Sequence, residues 1–222
     1  MLVAFEGIDG SGKGTQAHRL HERLVSSGRR AELISFPRYE STLFGKAVGE
    51  FLNGRFGSLS EVNPFLVSLL YAGDRFESRD FLKAALDNND VVVLDRYVAS
   101  NMAHQGAKCT GDEHAEIVDW IEKIEYGLYE MPQPDLVFLL DLPAAEAQRL
   151  IEKKQARSYT EKKADLQEAD AEYLESVRRA YLELSAASDR WQTIDLCRDN
   201  AVRPVDEIGE AIWERLSEFS AK

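Results

Sequence analysis

The chain has 222 residues, with 27 Lys and Arg against 39 Asp and Glu, for a formal net charge of −12. Its 44% hydrophobic and 30% charged residues describe one sizeable folded core rather than a disordered or fibrous chain. The acidic balance argues against a general nucleic-acid surface, which needs a basic footprint, and no apolar run approaches the length that spans a bilayer.

In chain order, the apolar run MLVAFEG (1–7) reads as a buried strand. It stops in four glycines, one serine and one lysine between Gly7 and Gly14. After a parallel strand, such a turn aims backbone N–H groups inward as a nest for phosphate oxygens, and the helix that follows (15–27) adds the positive end of its dipole. Gly7, Gly12 and Lys13 fit the phosphate-loop pattern G-x-x-x-x-G-K-[ST], with Gly14 in the Ser/Thr place and Thr15 one residue on. Lys13 reaches the outer phosphates as a point charge. A second strand (31–36) ends in Phe36, Pro37, Arg38 and Tyr39. A helical pattern over 61–86 carries Tyr71 and Arg75 four residues apart, on one face, an aromatic ring beside a guanidinium that suits a planar base.

The third strand (90–96) ends in Asp95, Arg96 and Tyr97. Carboxyl ends of strands in open α/β sheets face the ligand crevice, so Asp95 is placed to hold a hydrated Mg²⁺ and Arg96 an incoming phosphate. A structural salt bridge is the alternative for this pair. A helix follows (114–129), then a strand (134–141) and a helix (144–154). The stretch 153–170, KKQARSYTEKKADLQEAD, is charged and nearly free of large apolar residues; it reads as a solvated face or as a mobile flap over phosphates. A helix (165–187), a strand (191–196) and a last helix (205–219) complete the alternation. The whole predicts one α/β domain with a parallel sheet between two helical layers. No basic leader or cleavage site is seen before the first strand, and Cys109 and Cys197 match neither a disulfide framework nor metal-ligand spacing. A cytoplasmic protein with reduced thiols is expected.

EGIDGSGKGTQ, FPRYEST, YAGDRFES and LDRYVASNMAHQG, in this order and spacing, resemble thymidylate kinases. The resemblance runs over nearly the whole chain, through ADLQEADAEYLESVRRAYLEL. It implies a three-layer α/β/α P-loop fold over 1–222, with a five-stranded parallel sheet and a short helical lid at about 153–165. It also implies transfer of the γ-phosphoryl of ATP to dTMP with Mg²⁺, and a homodimer. Carried over by residue, Gly7, Gly10, Ser11, Gly12, Lys13, Gly14 and Thr15 would cradle the ATP phosphates, and Arg149 would lie against adenine. Asp9 would approach the sugar 3′-hydroxyl of dTMP. Phe36, Pro37, Arg38 and Tyr39, with Arg75, Arg96 and Gln105, would surround the acceptor. Tyr71 would stack on thymine, and Ser100 or Asn101 would bond its edge.

His104 stands where several bacterial relatives carry a tyrosine that crowds the sugar 2′ position; facing the sugar and lying on a helix surface are its two readings. Some members of the family carry an arginine where this chain has Gly10. A positive group for the transition state is therefore expected from the lid, at Arg157, with Lys13, Asp9 and Arg96 completing the catalytic set. Phosphoryl transfer runs through a loose transition state, so positioning and charge neutralisation carry it, and the ionised phosphate acceptor needs no general base. A P-loop switch ATPase would need no second cluster of arginines and aromatics. Adenylate kinase shares GSGKGTQ but brings a longer lid and other acceptor motifs.

Overall fold

The computed structural model describes residues 1–58, 61–152, 171–199 and 201–220. The apolar runs form β1 (Leu2–Glu6), β2 (Ala31–Ser35), β3 (Val91–Asp95), β4 (Leu136–Asp141) and β5 (Trp191–Asp195). They pair in the order β2-β3-β1-β4-β5, parallel at every step. A strand buried on both faces has no reason to alternate polar and apolar residues, and every residue of β1 is buried. The side-chain period of two still sorts the core. Val3, Phe5, Val91 and Val93 face one layer, with α1 (Lys13–Ser26), α8 (Ala171–Ala186) and α9 (Val205–Ser220). Leu2, Ala4, Val92 and Leu94 face the other, with α4 (Arg79–Asn88), α5 (Val98–Gly106) and α6 (Asp112–Glu122).

The single helix expected over 61–86 is two, α3 (Pro64–Glu77) and α4, joined at Ser78, whose hydroxyl donates to the Asp74 carbonyl. Two helices were not foreseen, α2 (Leu43–Leu52) and α5. α2 carries glycines at 45 and 49, which lower helix propensity, and is started by Thr42, whose hydroxyl accepts from Gly45 N. The helix expected over 114–129 starts at Asp112 and passes at Lys123 into a π-helical turn, Lys123–Leu128. α7 (Ala144–Glu152) follows β4. A two-stranded antiparallel ribbon, β6 (Cys197–Arg198) with β7 (Ala201–Val202), precedes α9. The lid segment and Arg157 lie outside the described residues.

Three strand ends converge. Phe36 N donates to the Asp95 carbonyl and Arg96 N to the Phe5 carbonyl, both at 3.0 Å. The loops after β1, β2 and β3 therefore share one edge of the sheet, at the point where strand order reverses direction around β1.

Candidate active site

The loop after β1 is packed too tightly for side chains at two of its glycines. A Cβ on Gly7 would lie 2.6 Å from the Leu140 carbonyl oxygen of β4, and one on Gly10, at φ +85°, would lie 2.6 Å from the Ala147 carbonyl oxygen of α7. The missing side chains let the loop close over Lys13. Its ammonium donates to the Ile8 carbonyl at 2.7 Å and to the Ser11 hydroxyl at 3.4 Å. Burial pushes the Lys13 pKa down to about 7, and the positive charge of Arg96 adds to the effect. Gly14 has a different neighbour: an added Cβ would stand 2.8 Å from the Asp95 carboxylate. The residue that departs from the phosphate-loop pattern thus leaves room for the carboxylate at the end of β3. A cavity of about 290 Å³ opens here, lined by Asp9, Lys13, Gly14, Thr15, Asp95 and Arg96 among others.

Arg96 has φ +67°, a left-handed conformation that a long side chain adopts only when its surroundings fix it. Its Nη2 donates to Asp9 at 2.5 Å, and its Nη1 to the Ser100 hydroxyl at 3.1 Å. Burial works against the guanidinium charge, but Asp9, Tyr181, Asp95 and Glu6 together more than offset it and Arg96 is held well above its ordinary pKa. Beneath it lies Glu6, fully buried at the end of β1. Glu6 accepts from Tyr97 N at 2.8 Å, Ser100 N at 3.2 Å, the Ser100 hydroxyl at 2.6 Å and the Tyr181 hydroxyl at 2.9 Å. It serves as the N-terminal cap of α5, which has no side-chain cap of its own, and a carboxylate there also meets the positive end of the helix dipole. Burial raises its pKa against these hydrogen bonds.

His104 is buried, so the helix-surface reading is corrected. The Tyr173 hydroxyl donates to the His104 carbonyl at 2.9 Å and lies 3.1 Å from Nδ1. Having given its proton away, the hydroxyl accepts from Nδ1–H, which leaves the Nε2 lone pair toward Arg96 Nη1, 3.4 Å away. Burial, with Arg96 beside it, pushes the His104 pKa down to about 3, so the ring is neutral.

Around α3, Arg38 is held by Asp74, which accepts from Arg38 N at 2.9 Å and from the Thr42 hydroxyl. The Arg38 guanidinium lies 4.4 Å from the centre of the Phe81 ring. The Phe36–Pro37 peptide is cis. Tyr39 and Tyr71 border the cluster of Val48, Phe51, Leu52 and Val67. Arg75 is 1% exposed and grips Glu125 with Nε and, at 2.6 Å, Nη2. Burial opposes its charge and the Glu125 carboxylate more than restores it. Asn101 Nδ2 donates to the Ser68 carbonyl at 3.0 Å and to Glu125 at 2.9 Å, while its Oδ1, also buried, has no hydrogen-bond partner among the described residues. Gln105 is the reverse case. Its Oε1 accepts from Lys108 at 2.8 Å and its buried Nε2 has no partner among the described residues.

Lys13, Asp9, Asp95, Arg96, Ser100 and His104 are thus brought together, with Arg38, Arg75, Asn101 and Gln105 around α3 and α5. Arg149 stands apart on α7, 70% exposed and paired with Glu146. Sequence reasoning missed Glu6, Asp74 and Glu125. Two of them left a trace: Glu6 is acidic inside an apolar strand, and Glu125 falls at the four-residue spacing of buried Ile117 and Ile121, places where a carboxylate is kept only by partners.

Comparison with known proteins agrees with this geometry. The family described as thymidylate kinase matches residues 5–208. The thymidylate kinase of Mycobacterium tuberculosis (strain CDC 1551 / Oshkosh) is 31% identical over 198 residues, covering 87% of this chain and 91% of the relative. The thymidylate kinase of Homo sapiens is 38% identical over 146 residues, 66% of this chain and 63% of the relative. A solved thymidylate kinase structure from Candida albicans shares the fold at a TM-score of 0.75 and 23% identity, over 98% of this chain and 91% of that one. The glycine-rich loop after β1 and a family match over residues 5–208 agree: the chain belongs to the thymidylate kinase family.

Proposed function

We propose that the chain, as a single kinase domain over 1–222, transfers the γ-phosphoryl of ATP to dTMP, giving dTDP and ADP. The observation that carries the choice of base is the Asn101 amide. Its nitrogen faces two groups that only accept, the Ser68 carbonyl and the Glu125 carboxylate, so its buried oxygen is left to accept from a ligand. The imide N3–H of thymine or uracil supplies that donor, whereas N3 of cytosine is itself an acceptor. Because the Ser100 hydroxyl is tied to Glu6, Arg96 and Tyr181, the base edge is assigned to Asn101. Tyr71 offers a ring face to the base, with Phe36, Pro37, Tyr39 and Gln105 completing its surroundings. Arg38 and Arg96 take the acceptor phosphate, and Asp9 and His104 the sugar.

The loop from Gly7 to Thr15 holds the ATP phosphates, and Arg149 the adenine. Asp95 fits Mg²⁺, which keeps several waters and takes one or two carboxylates; no group of three or more possible metal ligands exists among the described residues. Bound with ATP, the ion would neutralise phosphate charge. The protein's own part is to hold donor and acceptor in line, to place Lys13 and Arg96 beside the moving charge, and to keep water from competing with the acceptor oxygen. Position 10 admits no side chain in this conformation, so the transition-state arginine is assigned to Arg157. A homodimer in the cytoplasm is part of the same proposal. In its support, Phe65 of α3 and Trp120 of α6 meet edge to face at 6.1 Å, and beside them Leu66 is 63% exposed. Among the described residues no helix is long and apolar enough to cross a membrane.

A coupled ADP-release assay against dTMP, dUMP, UMP, AMP, CMP and GMP tests the reading. dTMP is expected to be the best acceptor, dUMP weaker and purine monophosphates negligible. AMP or UMP as the best acceptor would overturn it.

A further inference from the structure

We infer that Glu125, carried on the π-helical turn after α6, is the specificity-determining positioning residue of the base pocket, fixing the Asn101 amide and the Arg75 guanidinium against one carboxylate.

Four observations carry this. Glu125 is fully buried, and its two oxygens are shared between Arg75, which donates through Nε and Nη2, and Asn101, which donates through Nδ2. The three residues come from different elements, α3, α5 and the π-helical turn, so one carboxylate sets the distance between two groups that the chain separates by 26 positions. The backbone is locally rewound to bring it there. The turn Lys123–Leu128 is π-helical, and it is closed by Tyr129 N donating to the Ile124 carbonyl at 2.8 Å and Met131 N to the Glu125 carbonyl at 2.9 Å. Such turns are rare and are frequently found at functional sites. Finally, Asn101 Oδ1 is a buried acceptor with no partner among the described residues, and an amide can present its oxygen to a ligand only while its nitrogen is held from behind.

The chemistry of the holder matters. A carboxylate only accepts, so it cannot satisfy Asn101 in the reversed orientation, with Oδ1 behind and Nδ2 toward the base. That reversed amide would donate to N3 of cytosine and face the N3–H of thymine with a hydrogen. By excluding it, Glu125 and the Ser68 carbonyl together make the pocket select an imide. Glu125 also anchors Arg75, whose displacement would remove a second polar wall of the same pocket. The inference rests on the reading of Asn101 given above, and extends it to a residue that touches no substrate.

Two arms of one experiment separate them. The first uses the unaltered enzyme with dTMP and its N3-methyl derivative: loss of phosphorylation with the methylated base is expected, and equal rates would overturn the reading of Asn101 itself. The second compares dTMP with dCMP in Glu125→Ala. Here kcat/KM for dTMP should fall by about tenfold or more while dCMP falls less or rises, narrowing the ratio, and the KM for ATP should stay within about twofold. Added formate, small enough for the space left, should restore part of the ratio. An unchanged dTMP to dCMP ratio, or an equal loss for ATP and both acceptors, would overturn the role of Glu125 while leaving Asn101 in place. Should Glu125→Ala fail to fold, Glu125→Asp withdraws the carboxylate by one methylene and is expected to narrow the ratio too; a folded Glu125→Asp enzyme with the original ratio would overturn the inference. In the unaltered enzyme, the two Nδ2 protons of Asn101 should give separate, slowly exchanging NMR signals both before and after dTMP binds. Coalesced or rapidly exchanging signals in the complex would mean that the amide turns and is not held.

Discussion

The end of this crevice proposed for the donor and the end proposed for the acceptor are built from different material. The donor end is backbone: a continuous loop from Gly7 to Thr15 whose tight turns lie against β4 and α7, with one lysine and the start of α1. The acceptor end is side chain: buried ions and amides drawn from β1, α3, α5, the π-helical turn and α8, each held by the next. A polyphosphate presents charge and little shape, so a ring of N–H groups and a cation are enough for it. A base presents donors and acceptors in a fixed order, and reading them requires polar groups that cannot rotate. Side chains that hold one another are thus concentrated where discrimination is needed.

Lys13→Ala is the harshest test of that division. Loss of the cradle cation should lower kcat by about a thousandfold, and equally for every monophosphate tried, since the lysine serves the shared donor. A changed ranking of acceptors in a steady-state panel would show that the two ends are not separable. Glu6→Gln probes the acceptor end more gently. An amide in place of the carboxylate cannot accept at both positions from Tyr97 N, Ser100 N, Ser100 and Tyr181. A loss of about 1–3 kcal/mol is expected in urea unfolding, with a rise in the KM for dTMP and little change in that for ATP. A KM for ATP that rises as much would place Glu6 in both ends.

The smallest effect is one of pH. In the free protein Lys13 titrates at about 7, far below the ordinary 10.5. Between these values the unfolded chain binds the extra proton, so this group makes the free fold more stable as pH rises. ATP reverses the balance, because its phosphates favour the ammonium and raise the pKa of Lys13 in the complex. Binding should therefore take up a proton above about pH 7, and affinity should drop a few-fold between about pH 7 and about pH 8. Calorimetry in two buffers of different ionisation heat measures this directly, and the absence of proton uptake at about pH 8 would show Lys13 already charged in the free protein.

The two ends also differ in how far they can be read from sequence. The phosphate loop is contiguous and its glycines answer local steric demands, so pattern and place coincide. The five strands were likewise visible as apolar runs. α5 was hidden because its cap, Glu6, comes from a strand some ninety residues earlier and no local capping residue announces the start. α2 was hidden by its glycines. Around the base, Asn101 was proposed with Ser100 as an alternative; only the network that ties up the Ser100 hydroxyl separates the two. Arg75 was expected among the residues around the acceptor, while its ion pair with Glu125 is a contact between residues fifty positions apart, which no single segment encodes. His104 gives its ring orientation to Tyr173 of α8 for the same reason.

The contact between Gly10 and the Ala147 carbonyl bears on how this lineage can change. Any substitution at position 10 adds at least a methyl group where a carbonyl already stands, so the first step toward a longer residue there carries a penalty before any benefit of that residue is reached. An arginine at this position becomes available only after α7 has withdrawn from the loop. For this chain, then, a longer residue at position 10 requires coordinated changes in two separate segments, and a change at this one site alone leaves a crowded phosphate loop.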